Sequence, residues 1–115
     1  MKNVFCRKFV TLGKVNNVLF TINEIEQKII PVAQTYGINK ISLFGSYARG
    51  EANNSSDLDI LINKGKMKGL IQYFSFVNEL EDIFGCHVDV VTDGTQDKNF
   101  LHEIEQEGVL LYENI

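Results

Sequence analysis

Cysteine and histidine are scarce in this chain, two of each, and tryptophan is absent. Cys6 and Cys86 have no C-x-x-C spacing, which leaves neither a redox motif nor a zinc-binding pattern, and both are read as free thiols. Bases are outnumbered: 11 Lys and Arg stand against 15 Asp and Glu, for a formal charge of −4. Sequence-independent nucleic-acid binding needs several phosphate-neutralising cations, so nucleic acid is not expected as the main partner. Long apolar runs are missing as well. No stretch approaches the ~20 residues that span a bilayer, and the apolar stretches near the N-terminus are too broken for a signal-peptide core. No membrane partner is expected, and the expected compartment is the cytoplasm. Internal repeats and low-complexity tracts are also absent.

What remains is material for one domain. A chain of 115 residues with 44% hydrophobic content and eight Phe can bury a core without disulfide or metal staples. Its charge is unevenly placed. Residues 1–20 carry Lys2, Arg7, Lys8 and Lys14 and no acid, which leaves 11 − 4 = 7 bases and all 15 acids for residues 21–115. Residues 1–20 are therefore set apart as a basic extension, either two short strands or a loose accessory arm, and residues 21–115 as the folded domain.

The pattern from residue 21 onward alternates helix and strand. Thr21 or Asn23 can cap a helix to about Tyr36, with Glu26 placed three residues after Asn23 as in a capping box and Gly37 closing the end. Pro31 is expected to kink or restart that helix. Asn39 to Phe44 then reads as a strand, and Gly45 and Ser46 follow it directly. Small residues there let backbone N–H groups and a hydroxyl approach an anion, and a short helix starting near Ser46 would add a favourable dipole. Arg49 lies about one turn further on and serves either that anion or a surface ion pair.

After a polar Asn/Ser-rich loop, Asp57-Leu58-Asp59-Ile60-Leu61-Ile62 reads as a second strand. Strand side chains alternate, so Asp57 and Asp59 share one face while Leu58, Ile60 and Ile62 form the buried one. Two carboxylates so close repel, and either a proton or a divalent cation relieves the repulsion. Hard oxygen donors of this kind suit Mg²⁺ or Mn²⁺. Lys64, Lys66 and Lys68 follow in a loop, either solvated or drawn to an anion.

Gly69 to Phe84 reads as the longest helix, with an apolar arc of roughly 180° at 100° per residue. Leu70, Tyr73, Phe74, Val77, Leu80 and Phe84 are assigned to the sheet, and Phe76 and Ile83 fall on a margin that meets either the core or another subunit. His87 to Val91 forms a short strand with Val88 and Val90 inward. Asp89 faces the opposite way, as Asp57 and Asp59 must, and is the candidate third carboxylate. His87 shares that face as a solvated neighbour or a ligand. A helix over 97–107 and a terminal strand over 109–112 complete the reading.

Gly45-Ser46, ten residues and Asp57-x-Asp59 together resemble the signature of the DNA polymerase beta type nucleotidyltransferase superfamily. Phe44-Gly45-Ser46-Tyr47-Ala48-Arg49-Gly50 resembles its small branch, the minimal nucleotidyltransferases (MNT). The resemblance covers about residues 21–115. It implies an α/β (α+β) fold, a small mixed β-sheet flanked by helices like the polymerase beta palm. It also implies Gly45, Ser46 and Arg49 on the nucleotide's phosphates, and Asp57, Asp59 and Asp89 as catalytic acids and ligands of two Mg²⁺ ions (Mn²⁺ as a substitute), with ATP as substrate. Members of this branch are typically antitoxins of HEPN ribonuclease toxins, and the implied reaction transfers AMP to a toxin tyrosine. Two readings compete with it. One is a stand-alone adenylyltransferase acting on a small molecule in a pocket made by a homo-oligomer. The other is an antitoxin that neutralises its partner by contact alone.

Overall fold

The computed structural model describes residues 19–94 and 97–114. The basic extension, apart from Leu19 and Phe20, lies outside the described residues, as does Cys6. The elements in chain order are α1 (Ile22–Tyr36), β1 (Lys40–Phe44), α2 (Gly45–Arg49), β2 (Leu58–Asn63), α3 (Gly69–Phe84), β3 (Val88–Thr92), α4 (Lys98–Glu107) and β4 (Val109–Glu113).

The four strands form one mixed sheet in the order β3-β2-β1-β4. β1 pairs antiparallel with both β2 and β4, while β2 and β3 run parallel. The parallel pair requires a crossover, which α3 supplies. Strand alternation then sorts the side chains. Ile41 and Leu43 of β1, Leu58, Ile60 and Ile62 of β2, Val88 of β3 and Leu111 of β4 are buried in one cluster with Ile25, Ile29 and Val32 of α1 and Phe76, Leu80 and Phe84 of α3. Lys40, Ser42, Phe44, Asp59, Leu61 and Asn63 belong to the other face. This division makes the fold a platform, with its core behind and its chemistry in front.

The predicted helices form, with three local differences. Thr21 caps α1 through the amide of Glu24, 3.1 Å from its hydroxyl, and the Glu24 carboxylate accepts from the Thr21 amide at 2.9 Å. The capping box is thus Thr21 with Glu24, in place of Asn23 with Glu26. α1 also runs without restart through Pro31. The third difference concerns α3, whose inward face is rotated by roughly 50° (at 100° per residue) from the expected one. Phe76 is fully buried, and Ile83 packs partly buried against the core, whereas Leu70 and Phe74, assigned to the sheet, are 71% and 56% exposed. Phe76 sits edge-on to Tyr36 with ring centres 5.6 Å apart, and the Tyr36 hydroxyl donates to Glu79 at 3.1 Å, so α1 fixes the rotation of α3. Of the margin that meets either the core or another subunit, Phe76 belongs to the core, and Ile83 packs against that core while remaining partly open.

Candidate active site

The site is built where β1 ends and β2 begins. In the ladder Phe44 is opposite Asp59, and across the parallel pair Asp59 is opposite Asp89. Neighbouring strands stand about 4.8 Å apart, so Asp59 and Asp89 are adjacent on the front face. Asp57 lies one residue before β2, exposed, with the buried Leu58 between it and Asp59. The chain is held there by the Leu58 amide, which donates to the His87 carbonyl at 3.0 Å.

Gly45 follows Phe44 with φ of 74°, a conformation that favours glycine. A Cβ at this position would collide with Oδ2 of Asp59 and stand 3.0 Å from its Cγ. The missing side chain is the space into which the Asp59 carboxylate fits, against the turn backbone. α2 then runs for five residues only, so its dipole is that of little more than one turn.

Electrostatics mark Asp59 as the centre of the group. Its pKa is raised, first by burial, then by the negative charges of Asp89 and Asp57, with His87 and Arg49 pulling the other way. The Cys86 thiol nearby is also pushed up, by burial and next by the charge of Asp57.

Arg49 reaches this field while engaged elsewhere: its Nε is 3.0 Å from Glu51 and its Nη1 3.5 Å from Glu107. Lys64, Lys66 and Lys68 are exposed at the far end of β2, with Lys64 on the order of 16 Å from Asp59 along the strand. They are a solvated loop.

Sequence reasoning missed Glu81. This carboxylate accepts from the Val88 amide at 3.1 Å and sits 3.2 Å from Nδ1 of His87, whose Nε2 is 3.9 Å from Asp89. Its signal was an acid beside the inward position Leu80, near the C-terminal end of α3, where it faces the start of β3.

The sequence matches the family model of polymerase beta nucleotidyltransferases over residues 27–114. The chain belongs to this family. A Methanocaldococcus jannaschii protein provisionally named protein adenylyltransferase is 40% identical to this nucleotidyltransferase over 89 residues, covering 77% of this chain and 90% of that one. The protein adenylyltransferase MntA of Thermococcus cleftensis is 34% identical over 77 residues, 64% of this chain and 78% of its own.

Among solved structures, a toxin–antitoxin complex with AMP-PNP has a chain that superposes with a TM-score of 0.67 at 24% identity, covering 77% of this chain and 73% of that one. A complex of a tri-AMPylated Shewanella oneidensis HEPN toxin with an MNT antitoxin gives 0.60 at 22%, covering 77% and 70%. These two likenesses speak for the fold of the nucleotidyltransferase.

Three carboxylates offer the oxygen donors that Mg²⁺ or Mn²⁺ takes, and the disfavoured charge on Asp59 is what such an ion relieves. The nucleotidyltransferase's acids therefore fit a divalent cation in kind. Among the described residues no three His, Cys, Asp or Glu side chains form a ready-made ligand group. The acids are a row of neighbours, not a closed cage. No helix among the described residues is long and apolar enough to cross a membrane.

Proposed function

We propose that this nucleotidyltransferase is an antitoxin that transfers AMP from ATP to a tyrosine hydroxyl of a HEPN-type toxin. The observation that carries the reading is the seat of Asp59 against Gly45, with Asp89 beside it and Asp57 just before the strand. In this reading the turn serves the phosphates and the neighbouring acids serve the transfer, side by side at one end of the sheet. The relatives named for protein adenylylation support the reaction class, and the toxin–antitoxin complexes of like fold support the kind of partner.

In this reading Gly45 and Ser46 hold the β- and γ-phosphates through backbone amides and the serine hydroxyl, and Arg49 turns from Glu51 and Glu107 to the same anion. Asp57, Asp59 and Asp89 would hold the divalent ions, which when bound lower the pKa of an attacking hydroxyl and offset charge on the triphosphate. Asp89, exposed on the edge strand β3, takes the proton of the acceptor hydroxyl as it attacks the α-phosphorus and pyrophosphate leaves. Positioning is the chain's own contribution: a rigid ladder fixes Asp59 relative to the turn.

The test is to incubate the chain with ATP, Mg²⁺ and its HEPN-type partner and to weigh the partner intact. Added adenylate that is lost on Tyr→Phe substitution in the partner supports the reading, whereas an unmodified partner that is nevertheless inhibited overturns it in favour of neutralisation by contact.

A further inference from the structure

The front face does not end at the acids. Along the β1–β2 ladder the row after Phe44 and Asp59 is Ser42 opposite Leu61, and the next is Lys40 opposite Asn63. These rows lie about 7 and 13 Å from the Asp59 row. They floor a cleft of about 290 Å³, walled by Ile104 and Glu105 of α4 and by Leu110 of β4.

Its chemistry is mixed. Leu61 is 8% exposed at the floor, Ile104 is buried, and Leu110 is 51% exposed. The far end is fixed: the Asn63 amide donates to Asp93 at 2.9 Å and its oxygen accepts from the Gly65 amide at 3.1 Å. The side chains of Ser42, Lys40 and Glu105 make no hydrogen bond or ion pair with any described residue. An apolar slot with unengaged donors and acceptors on its rim suits a flat ring with polar edges. The volume is at the small end for ligand sites and matches one ring system better than a folded segment.

We propose that this cleft is the nucleobase site of the nucleoside triphosphate, an inference that rests on the nucleotidyl-transfer reading above. The order of features along the face carries it. The Gly45–Ser46 turn stands at one end, the Asp59 row next, and the Ser42–Leu61 cleft beyond. An extended nucleoside triphosphate has the same order: terminal phosphates, α-phosphorus, sugar, base. With its terminal phosphates on the turn and its α-phosphorus at Asp59, such a ligand lays its base between Leu61 and Leu110, where Ser42, Lys40 and Glu105 meet the ring edge.

The chain lacks tryptophan, so L110W places a single indole on the exposed rim. ATP with Mg²⁺ is expected to quench that indole by stacking, while inorganic tripolyphosphate with Mg²⁺ displaces ATP without quenching. S42F, which fills the cleft, is expected to weaken ATP at least about tenfold and leave tripolyphosphate within about twofold, both read by calorimetry. If both ligands bind the unsubstituted chain but the indole ignores saturating ATP, or S42F weakens the two equally, the nucleobase assignment falls alone. An indole that responds only to the acceptor protein would give the cleft to the acceptor and overturn the assignment too. If the unsubstituted chain binds neither ligand, the nucleotidyl-transfer reading falls, and the assignment with it.

Discussion

The carboxylate of Asp59 occupies the space that a side chain at position 45 would fill. Glycine is required at this turn twice over, once by its φ of 74° and once by Asp59. Gly50 has the same φ of 74° and nothing within 4 Å of where its Cβ would stand. The two positions therefore separate backbone strain from site geometry.

G45A and G50A should each lower stability by roughly 1–3 kcal/mol, the cost of a non-glycine residue in this region. Only G45A should also abolish nucleotidyl transfer, because its methyl group displaces Asp59. Thermal melts and transfer assays on both variants check this. Equal activity in the two would detach Asp59 from the turn.

Asp59 stores unfavourable charge. Its folded pKa is raised, so the folded state binds a proton more tightly than the unfolded one, and stability falls as pH rises from the ordinary carboxylate range through the raised value. D59N removes this loss. In EDTA it should melt above the unsubstituted protein at neutral pH, with the difference closing in acid, and the gain is small because Asp59 is partly open to water. Mg²⁺ should raise the melting temperature of the unsubstituted protein more than that of D59N. A destabilised D59N at neutral pH would contradict the assignment of strain.

The rotation of α3 makes a prediction of opposite size at two apolar positions. F76A empties a fully buried site and should cost about 3–5 kcal/mol, a large share of the ~5–15 kcal/mol that holds such a domain. L70D, at a position assigned to the sheet from the sequence but 71% exposed, should stay within about 0.5 kcal/mol of the parent. Denaturant titrations of both read the helix face directly.

Arg49 is shared between Glu51 and Glu107 in the ligand-free protein. If it turns to phosphate when nucleotide binds, the double variant E51Q/E107Q should bind tripolyphosphate more tightly and R49A less tightly, each by a few-fold. Calorimetry with tripolyphosphate measures both. No change in R49A would leave Arg49 a surface ion pair.

Alternation along single strands made much of this site legible in the sequence. Asp59 and Asp89 each sit among apolar neighbours that have to face a core, so their direction was set locally, and Gly45 announced a tight turn after a strand. What was not legible depended on contacts between distant segments. The arc of α3 was wide enough to accept several rotations, and only the packing of Phe76 on Tyr36, 40 residues away in the chain (76 − 36), chose one. Arg49 meets Glu107 because α4 folds over the front face near α2, which no spacing within 45–59 foretells. The cleft at Ser42 and Leu61 has the same origin, since its wall comes from residues 104–110.

The most direct test is the intact mass of the HEPN-type partner after incubation with ATP, Mg²⁺ and either the unsubstituted chain or D57N/D59N. Adenylate added by the former and reduced by a factor on the order of 10² or more in the latter is the predicted result. Equal modification by both would show that the acids beside Gly45 do not carry the reaction.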